Sequence, residues 1–281
     1  MKHIGLIGKP LAHSTSPIFQ QAALDHRGVD ARYELWETEA EDLPAVVERM
    51  RRDDCLGANV TIPHKERIID LLDKLDPLAG RIGAVNTVVN RGGRLNGHNT
   101  DILGFVQALR RDGEFDPRGC HAVVLGAGGV ARAVAVALLD GGAASITVTD
   151  IDQARAAGLA RNLAGQGQTV VRAVPPASAE LAAAVSACQL LVNCTPIGLR
   201  HSRAEDGTPV PPELIPARAL VFDLVANPPE TRLLAEARRR GARTVSGMAM
   251  LVYQGAESFR LWTGLEPPLD VMRQAARSAV T

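Results

Sequence analysis

The chain has 281 residues, room for one large domain or two ordinary ones. Lys plus Arg equals Asp plus Glu at 31 each, so the formal net charge is zero and no electrostatic grip on nucleic acid or an anionic membrane is expected. No apolar run approaches a bilayer span, and the N-terminus turns polar too soon for a signal peptide, so a cytoplasmic location is expected.

Apolar β-branched runs alternate with helical patterns from the first residues onward. Residues 3–7 read as a strand and 17–27 as the helix after it. Strand patterns follow at 32–36, 57–60 and 85–90, with a helix at 43–52. Pro63 is well tolerated in a first helical turn, and Ile68, Ile69, Leu71 and Leu72 give an apolar face to a helix expected there. Gly92-Gly93 marks a hairpin between 85–90 and 95–97, so an antiparallel strand is expected in the first sheet. A helix at 102–111 leads into a polar Gly/Pro linker at 112–119, where the chain breaks into a second series. Its strands are read at 121–125, 145–149, 169–174, 190–194, 220–224 and 243–245, with an Ala-rich helix at 177–187. Helices at 248–263 and 268–280 end the chain. Such alternation implies an α/β fold of mostly parallel sheets with helices on both faces.

Cys55, Cys120, Cys188 and Cys194 show no CxxC spacing. They are expected as buried thiols, and their scatter argues against a zinc site. No metal is expected.

In the second series, Val123-Val124-Leu125-Gly126-Ala127-Gly128-Gly129-Val130-Ala131 reads as strand, tight turn and helix. Gly126 permits the turn, Gly128 lets backbone approach a pyrophosphate, and Ala131 takes the packing position of a third glycine. The N–H groups at the helix start and the helix dipole then favour the phosphates, and Gly126, Ala127, Gly128, Gly129 and Val130 are the expected cofactor contacts. The next strand ends in Asp150, placed to accept hydrogen bonds from ribose hydroxyls and to repel a phosphate ester there. At ~4 Å and an effective dielectric of ~20, each such like-charge pair costs about 4 kcal/mol. Half of that exceeds a tenfold preference, so NAD is expected over NADP. Asp152 fits the cap of the following helix, and Arg155, one turn on, is placed to meet a phosphate or stack on adenine.

The first series carries the polar chemistry. Asn59 and Thr61 end a strand and Lys65 projects from the expected helix opening, where open α/β sheets bind ligands. Ser14-Thr15-Ser16-Pro17 follows the first strand; its hydroxyls suit a carboxylate, although helix capping is favoured on spacing alone. Asn86 starts a strand, and Asp101 ends the antiparallel segment or caps the helix after it. Singly each is unremarkable. Together they end strands that should lie side by side, which points to one shared site.

These motifs resemble shikimate dehydrogenase. The matching residues are Ser14-x-Ser16, Asn59-x-Thr61-x-Pro63-His64-Lys65, Gly83-Ala84-x-Asn86-Thr87, Gly97-x-Asn99-Thr100-Asp101, Gly126-Ala127-Gly128-Gly129-x-Ala131-Arg132, Asn193-x-Thr195-Pro196-x-Gly198 and Met250-Leu251-Val252-x-Gln254-Gly255-Ala256. The likeness spans essentially the whole chain. It implies a substrate-binding and catalytic domain at 1–103, a Rossmann-like dinucleotide-binding domain at 104–245, a cleft between them, and C-terminal helices at 246–281 returning to the substrate domain. It also implies hydride transfer between a nicotinamide cofactor and 3-dehydroshikimate or shikimate, in aromatic amino acid biosynthesis, by a monomer or homodimer. By position, Ser14 and Ser16 would bind the substrate carboxylate, and Asn59, Thr61, Asn86, Asp101 and Gln254 the ring hydroxyls. Lys65 would be the proton donor with Asp101 its partner; Thr195 and Gly247 would join the cofactor contacts.

Two departures bear on specificity. Asp150-Ile151-Asp152 stands where the family usually has an Asn-Arg-Thr-like run reading the NADP phosphate, which moves the cofactor toward NAD. Ala226 stands where tyrosine is common, which would enlarge the pocket. The alternatives are an NAD-dependent quinate/shikimate dehydrogenase of catabolism, a non-catalytic sensor of such ring acids, and a dehydrogenase acting on a folate or an amino acid. Both Ser14 and Ser16 are present, which keeps shikimate first.

Overall fold

The computed structural model describes residues 1–12 and 14–279. The chain forms two compact units, Met1–Gly104 with Val252–Thr281, and Phe105–Leu251. The first contains β1 (Lys2–Gly8), α1 (Ser16–His26), β2 (Ala31–Glu37), α2 (Leu43–Arg49), β3 (Cys55–Val60), β4 (Lys74–Leu75), α3 (Pro77–Ile82), β5 (Thr87–Arg91), β6 (Arg94–His98) and the start of α4 (Asp101–Arg111). Its sheet runs β2-β1-β3-β5-β6-β4. Strands β1, β2 and β3 are parallel, and β5 is antiparallel to both β3 and β6, as the Gly92-Gly93 hairpin required. Ile7, Val60, Ile68, Val88 and Leu95 form its core on one face of the sheet.

The expected helix after β3 does not form. A short 3-10 turn spans Arg67–Leu71, and Lys65 lies in the irregular segment before it. Strand β4 explains this, because it pairs with β6 and draws the chain back to the sheet. Leu72 and Leu75 then pack against Gly97, where a Cβ would lie 2.6 and 2.9 Å from their methyl groups. The apolar spacing that looked helical is satisfied by a turn. Helix α3 follows with an Asp76 cap, whose carboxylate accepts from the Leu78 N–H at 2.9 Å, and ends at Gly83 with φ +69°.

The second unit contains β7 (His121–Leu125), α5 (Gly129–Asp140), β8 (Ser145–Thr149), α6 (Gln153–Leu163), β9 (Val170–Ala173), α7 (Ala179–Ala187), β10 (Leu190–Asn193), β11 (Leu220–Asp223), α8 (Arg232–Arg239) and β12 (Arg243–Ser246). All strand pairs are parallel and the order is β12-β11-β10-β7-β8-β9. In chain order from β7 this is the 3-2-1-4-5-6 arrangement of a dinucleotide-binding sheet, with its switch point between β7 and β10. Asp152, Ser178 and Thr231 cap α6, α7 and α8 through side-chain oxygens.

Helix α9 (Gly247–Thr263) crosses from the second unit into the first, and α10 (Leu269–Ser278) ends in it. Val280, the last residue of the expected C-terminal helix, lies outside the described residues. The end of α9 is fastened to the first sheet: Trp262 Nε1 donates to the Val88 carbonyl at 2.9 Å, and Gln20 Nε2 of α1 donates to the Gly255 carbonyl at 3.0 Å. Gly255 has no room for a side chain, since a Cβ would fall 2.4 Å from the Phe19 ring. No helix among the described residues is long and apolar enough to cross a membrane.

Candidate active site

In the first unit, the carboxyl ends of β1, β3 and β6 and the start of β5 share one sheet edge, because β5 runs against its neighbours. Lys65 follows β3 there. Its backbone is held by the Val85 N–H, which donates to the Lys65 carbonyl at 2.7 Å. The buried His64 beside it reaches the Thr38 carbonyl through Nε2 at 2.8 Å. Lys65 Nζ donates to Asp101 Oδ2 at 2.6 Å, and the two side chains are only 15% and 6% exposed.

Asp101 is the first residue of α4, and its carboxylate turns to the site instead of capping the helix. Asn99 Oδ1 takes the Asp101 N–H at 3.1 Å. Asn86 Nδ2 donates to Asp101 Oδ1 at 2.9 Å and lies 3.3 Å from Gln254 Oε1. Asn86 Oδ1 accepts the Thr100 N–H at 2.8 Å, which fixes the amide's orientation. Lys65, Asp101, Asn86 and Gln254 therefore form one connected set.

Thr61 follows β3 with its N–H on the Ile7 carbonyl at 2.8 Å. Ser14 and Ser16 stand at the start of α1. Thr15, the N-cap residue, makes no side-chain cap bond; Ser14 Oγ accepts the Ser16 N–H at 3.3 Å.

Asn59 is placed differently from the sequence expectation. It is buried, with Nδ2 donating at 3.1 Å to the Asn86 carbonyl, Thr87 Oγ1 and Ser258 Oγ, while Oδ1 accepts from the Tyr33 hydroxyl at 2.8 Å. Both amide hydrogens are engaged by protein partners, which gives Asn59 a supporting place beneath the site. Thr87 and Ser258 hydroxyls lie 2.8 Å apart, and Ser258 donates to the Gln254 carbonyl at 3.0 Å. This supporting layer of Tyr33, Thr87, Thr100 and Ser258 was missed from the sequence. Thr87 and Thr100 stood in the matching motifs without a role, and Ser258 lies four residues after Gln254 on the same helix face. Burial raises the Tyr33 hydroxyl well above its ordinary pKa.

In the second unit, Gly126 has φ +103°, and a Cβ there would lie 3.1 Å from the Cys194 carbonyl oxygen. Gly128 is the N-cap of α5 and has no side chain to cap it. A Cβ on Gly128 would meet only Arg155 Nη2, at 4.0 Å. Gly129 and Val130 open α5 and are half-buried, leaving helix-start N–H groups for an anion. A dinucleotide pyrophosphate fits this cradle. Asp150, which the sequence reserved for ribose, is tied to the loop: Oδ2 accepts the Ala127 N–H at 2.7 Å and Oδ1 the Asp152 N–H at 2.8 Å. Asp152 caps α6 through the Arg155 N–H, as expected. Thr195 follows β10 beside Gly126. Gly247 opens α9, where a Cβ would lie 2.3 Å from the Leu224 carbonyl, so close packing alone requires glycine there.

Comparisons with known proteins agree with this geometry. The family described as "Shikimate dehydrogenase substrate binding domain" matches residues 6–88, and "Shikimate 5'-dehydrogenase C-terminal domain" matches 247–277. Residues 122–202 match "Saccharopine dehydrogenase NADP binding domain". The chain is 45% identical to a shikimate dehydrogenase (NADP(+)) of Moorella thermoacetica, over 99% of this chain and 93% of that one. Among solved structures it is similar to shikimate 5-dehydrogenase of Thermus thermophilus in complex with NADP(H) and shikimate, at TM-score 0.88 and 41% identity, covering 99% and 100% of the two chains. It is also similar to quinate dehydrogenase of Corynebacterium glutamicum in complex with NAD, at TM-score 0.89 and 33% identity, covering 99% of each.

Proposed function

The chain belongs to the shikimate dehydrogenase family, and from that premise we propose that it interconverts 3-dehydroshikimate and shikimate, with Lys65 moving the proton. The observation that carries the assignment of Lys65 is its 2.6 Å pair with Asp101 in a largely buried setting. A nicotinamide cofactor, when bound, supplies or takes up the hydride. As the ketone is reduced, negative charge develops on its oxygen. The Lys65 ammonium stabilises that charge and delivers its proton there; in the oxidative direction the same nitrogen takes the proton back. Asp101 holds the ammonium in place and Asn86 holds Asp101.

Ser14 and Ser16 hold the ring carboxylate at the start of α1, where the helix dipole favours an anion. Thr61, Asn86, Asp101 and Gln254 orient the ring hydroxyls. Residues 126–130 with Thr195 hold the dinucleotide.

The comparisons support NADP, and the expectation that Asp150 favours NAD finds no support in them. The local geometry agrees: the Asp150 carboxylate is engaged by two backbone N–H groups, while the Arg155 guanidinium stands beside the glycine turn. Arg155 is the counter-charge for the additional phosphate. The test is kcat/KM for shikimate and quinate, each with NADP and NAD. Shikimate with NADP is expected to be the best pair, and Arg155→Ala should raise KM for NADP about tenfold while changing that for NAD little. Better use of quinate with NAD would favour the catabolic alternative.

A further inference from the structure

Asp223 ends β11 and is fully buried. Its carboxylate accepts from Asn193 Nδ2 at 2.9 Å, the Val225 N–H at 3.1 Å and Thr231 Oγ1 at 2.5 Å. All three donors are neutral. A buried carboxylate answered only by neutral donors is costly beside an apolar residue of similar size, and burial holds its carboxyl above the usual carboxylate range.

Its arrangement gives it a task. Asn193, the last residue of β10, is also fully buried, and Nδ2 donates both to Asp223 and to the Ile197 carbonyl at 3.2 Å. A carboxylate only accepts, so it forces the amide nitrogen to its own side. Asn193 Oδ1 is thereby turned to Thr195, accepting from its N–H at 3.0 Å and its hydroxyl at 2.7 Å. Thr195 Oγ1, having given its proton to Asn193, accepts the Ile197 N–H at 3.3 Å. The backbone so fixed is the wall of the glycine turn. A Cβ at Gly126 would lie 3.1 Å from the Cys194 carbonyl oxygen and 3.4 Å from the Thr195 methyl.

We propose that Asp223 is a positioning residue for dinucleotide binding: by orienting the Asn193 amide it fixes Thr195 and the surface on which the Gly126 turn rests. The proposal rests on reading the second unit as the dinucleotide site. Asp223→Ala removes the acceptor that orients the Asn193 amide. Calorimetric titration with NADP is expected to show Kd raised about tenfold or more, with KM for shikimate within about twofold of the parent. Asn193→Ala should weaken NADP similarly, and the double variant should be no worse than the weaker single, since the two residues act in series. Thr231→Val removes a bond to the same carboxylate without touching Asn193. It should lower thermal stability and leave the NADP Kd within about twofold.

A parent protein that fails to bind NADP would sink the dinucleotide reading itself. Binding by the parent, with an unchanged Kd in folded Asp223→Ala, additive losses in the double variant, or equal weakening in Thr231→Val, would overturn the role of Asp223. If Asp223→Ala does not fold, an unchanged Kd in Asn193→Ala overturns it as well.

Discussion

Replacing Asn59 by leucine separates a supporting residue from a substrate ligand. The substitution removes an amide that bonds Tyr33, Thr87, Ser258 and the Asn86 carbonyl. The Asn86 carbonyl keeps the Val60 N–H at 2.8 Å, and Ser258 keeps the Gln254 carbonyl. Tyr33 loses the acceptor of its hydroxyl, and the residue is 5% exposed. An orphaned buried hydroxyl costs ~1–3 kcal/mol, and the weakened neighbours add roughly 0.5–1 kcal/mol each. The sum is about 3 kcal/mol, partly offset by the apolar side chain introduced. Urea unfolding followed by tryptophan fluorescence reads this directly, because Trp36 and Trp262, the only two tryptophans, both lie in the first unit. Tyr33→Phe alone should cost about 1 kcal/mol. The double variant should be less damaging than the sum by ~1–2 kcal/mol, since it leaves no orphan. KM for shikimate should stay within about threefold. A variant of parental stability whose KM rises tenfold or more would refute this reasoning and make Asn59 a ring ligand.

Gly126→Ala combines a backbone angle hostile to side chains with a 3.1 Å approach to the Cys194 carbonyl oxygen. It should destabilise the second unit by about 2–4 kcal/mol and raise KM for the dinucleotide, read by thermal unfolding and initial rates. Burial raises the Cys55 and Cys120 thiols to about 11 and that of Cys188 to about 12. At pH 8 a thiol reagent should therefore leave these three unmodified in the native protein and titrate all four cysteines after denaturation; rapid native reaction at all four contradicts their burial. The hydrogen bond from Arg51 holds the Asp73 carboxyl below the usual range. Its stabilising contribution is present above the unfolded value near ~4 and is lost as pH falls through the lowered folded value. Arg51→Ala should flatten that acid limb in the tryptophan-monitored unfolding curve.

Much of this was readable in the residues. Strands β7 and β8 and the turn at Gly126 announced themselves because an apolar run, a fixed glycine spacing and a helix must follow one another to hold a pyrophosphate. The Gly92-Gly93 hairpin was equally plain. The segment after β3 was not, because Ile68, Ile69, Leu71 and Leu72 have helical spacing, and the pairing of β4 with a strand some twenty residues later overrides it. Strand β5 begins at Thr87, two residues later than its pattern, since the Val85 N–H goes to Lys65. Asn59 and Asp150 were identified as polar residues at strand ends. What each one bonds depends on Tyr33, Ser258 and the Ala127 N–H, contacts that no local pattern encodes.

The central claim is that Lys65 moves the proton. Lys65→Ala, shown to be folded by circular dichroism, should be assayed for kcat and KM with shikimate and NADP. The account predicts a fall in kcat of about 10²–10⁴-fold with little change in KM. Turnover within about threefold of the parent enzyme would contradict it.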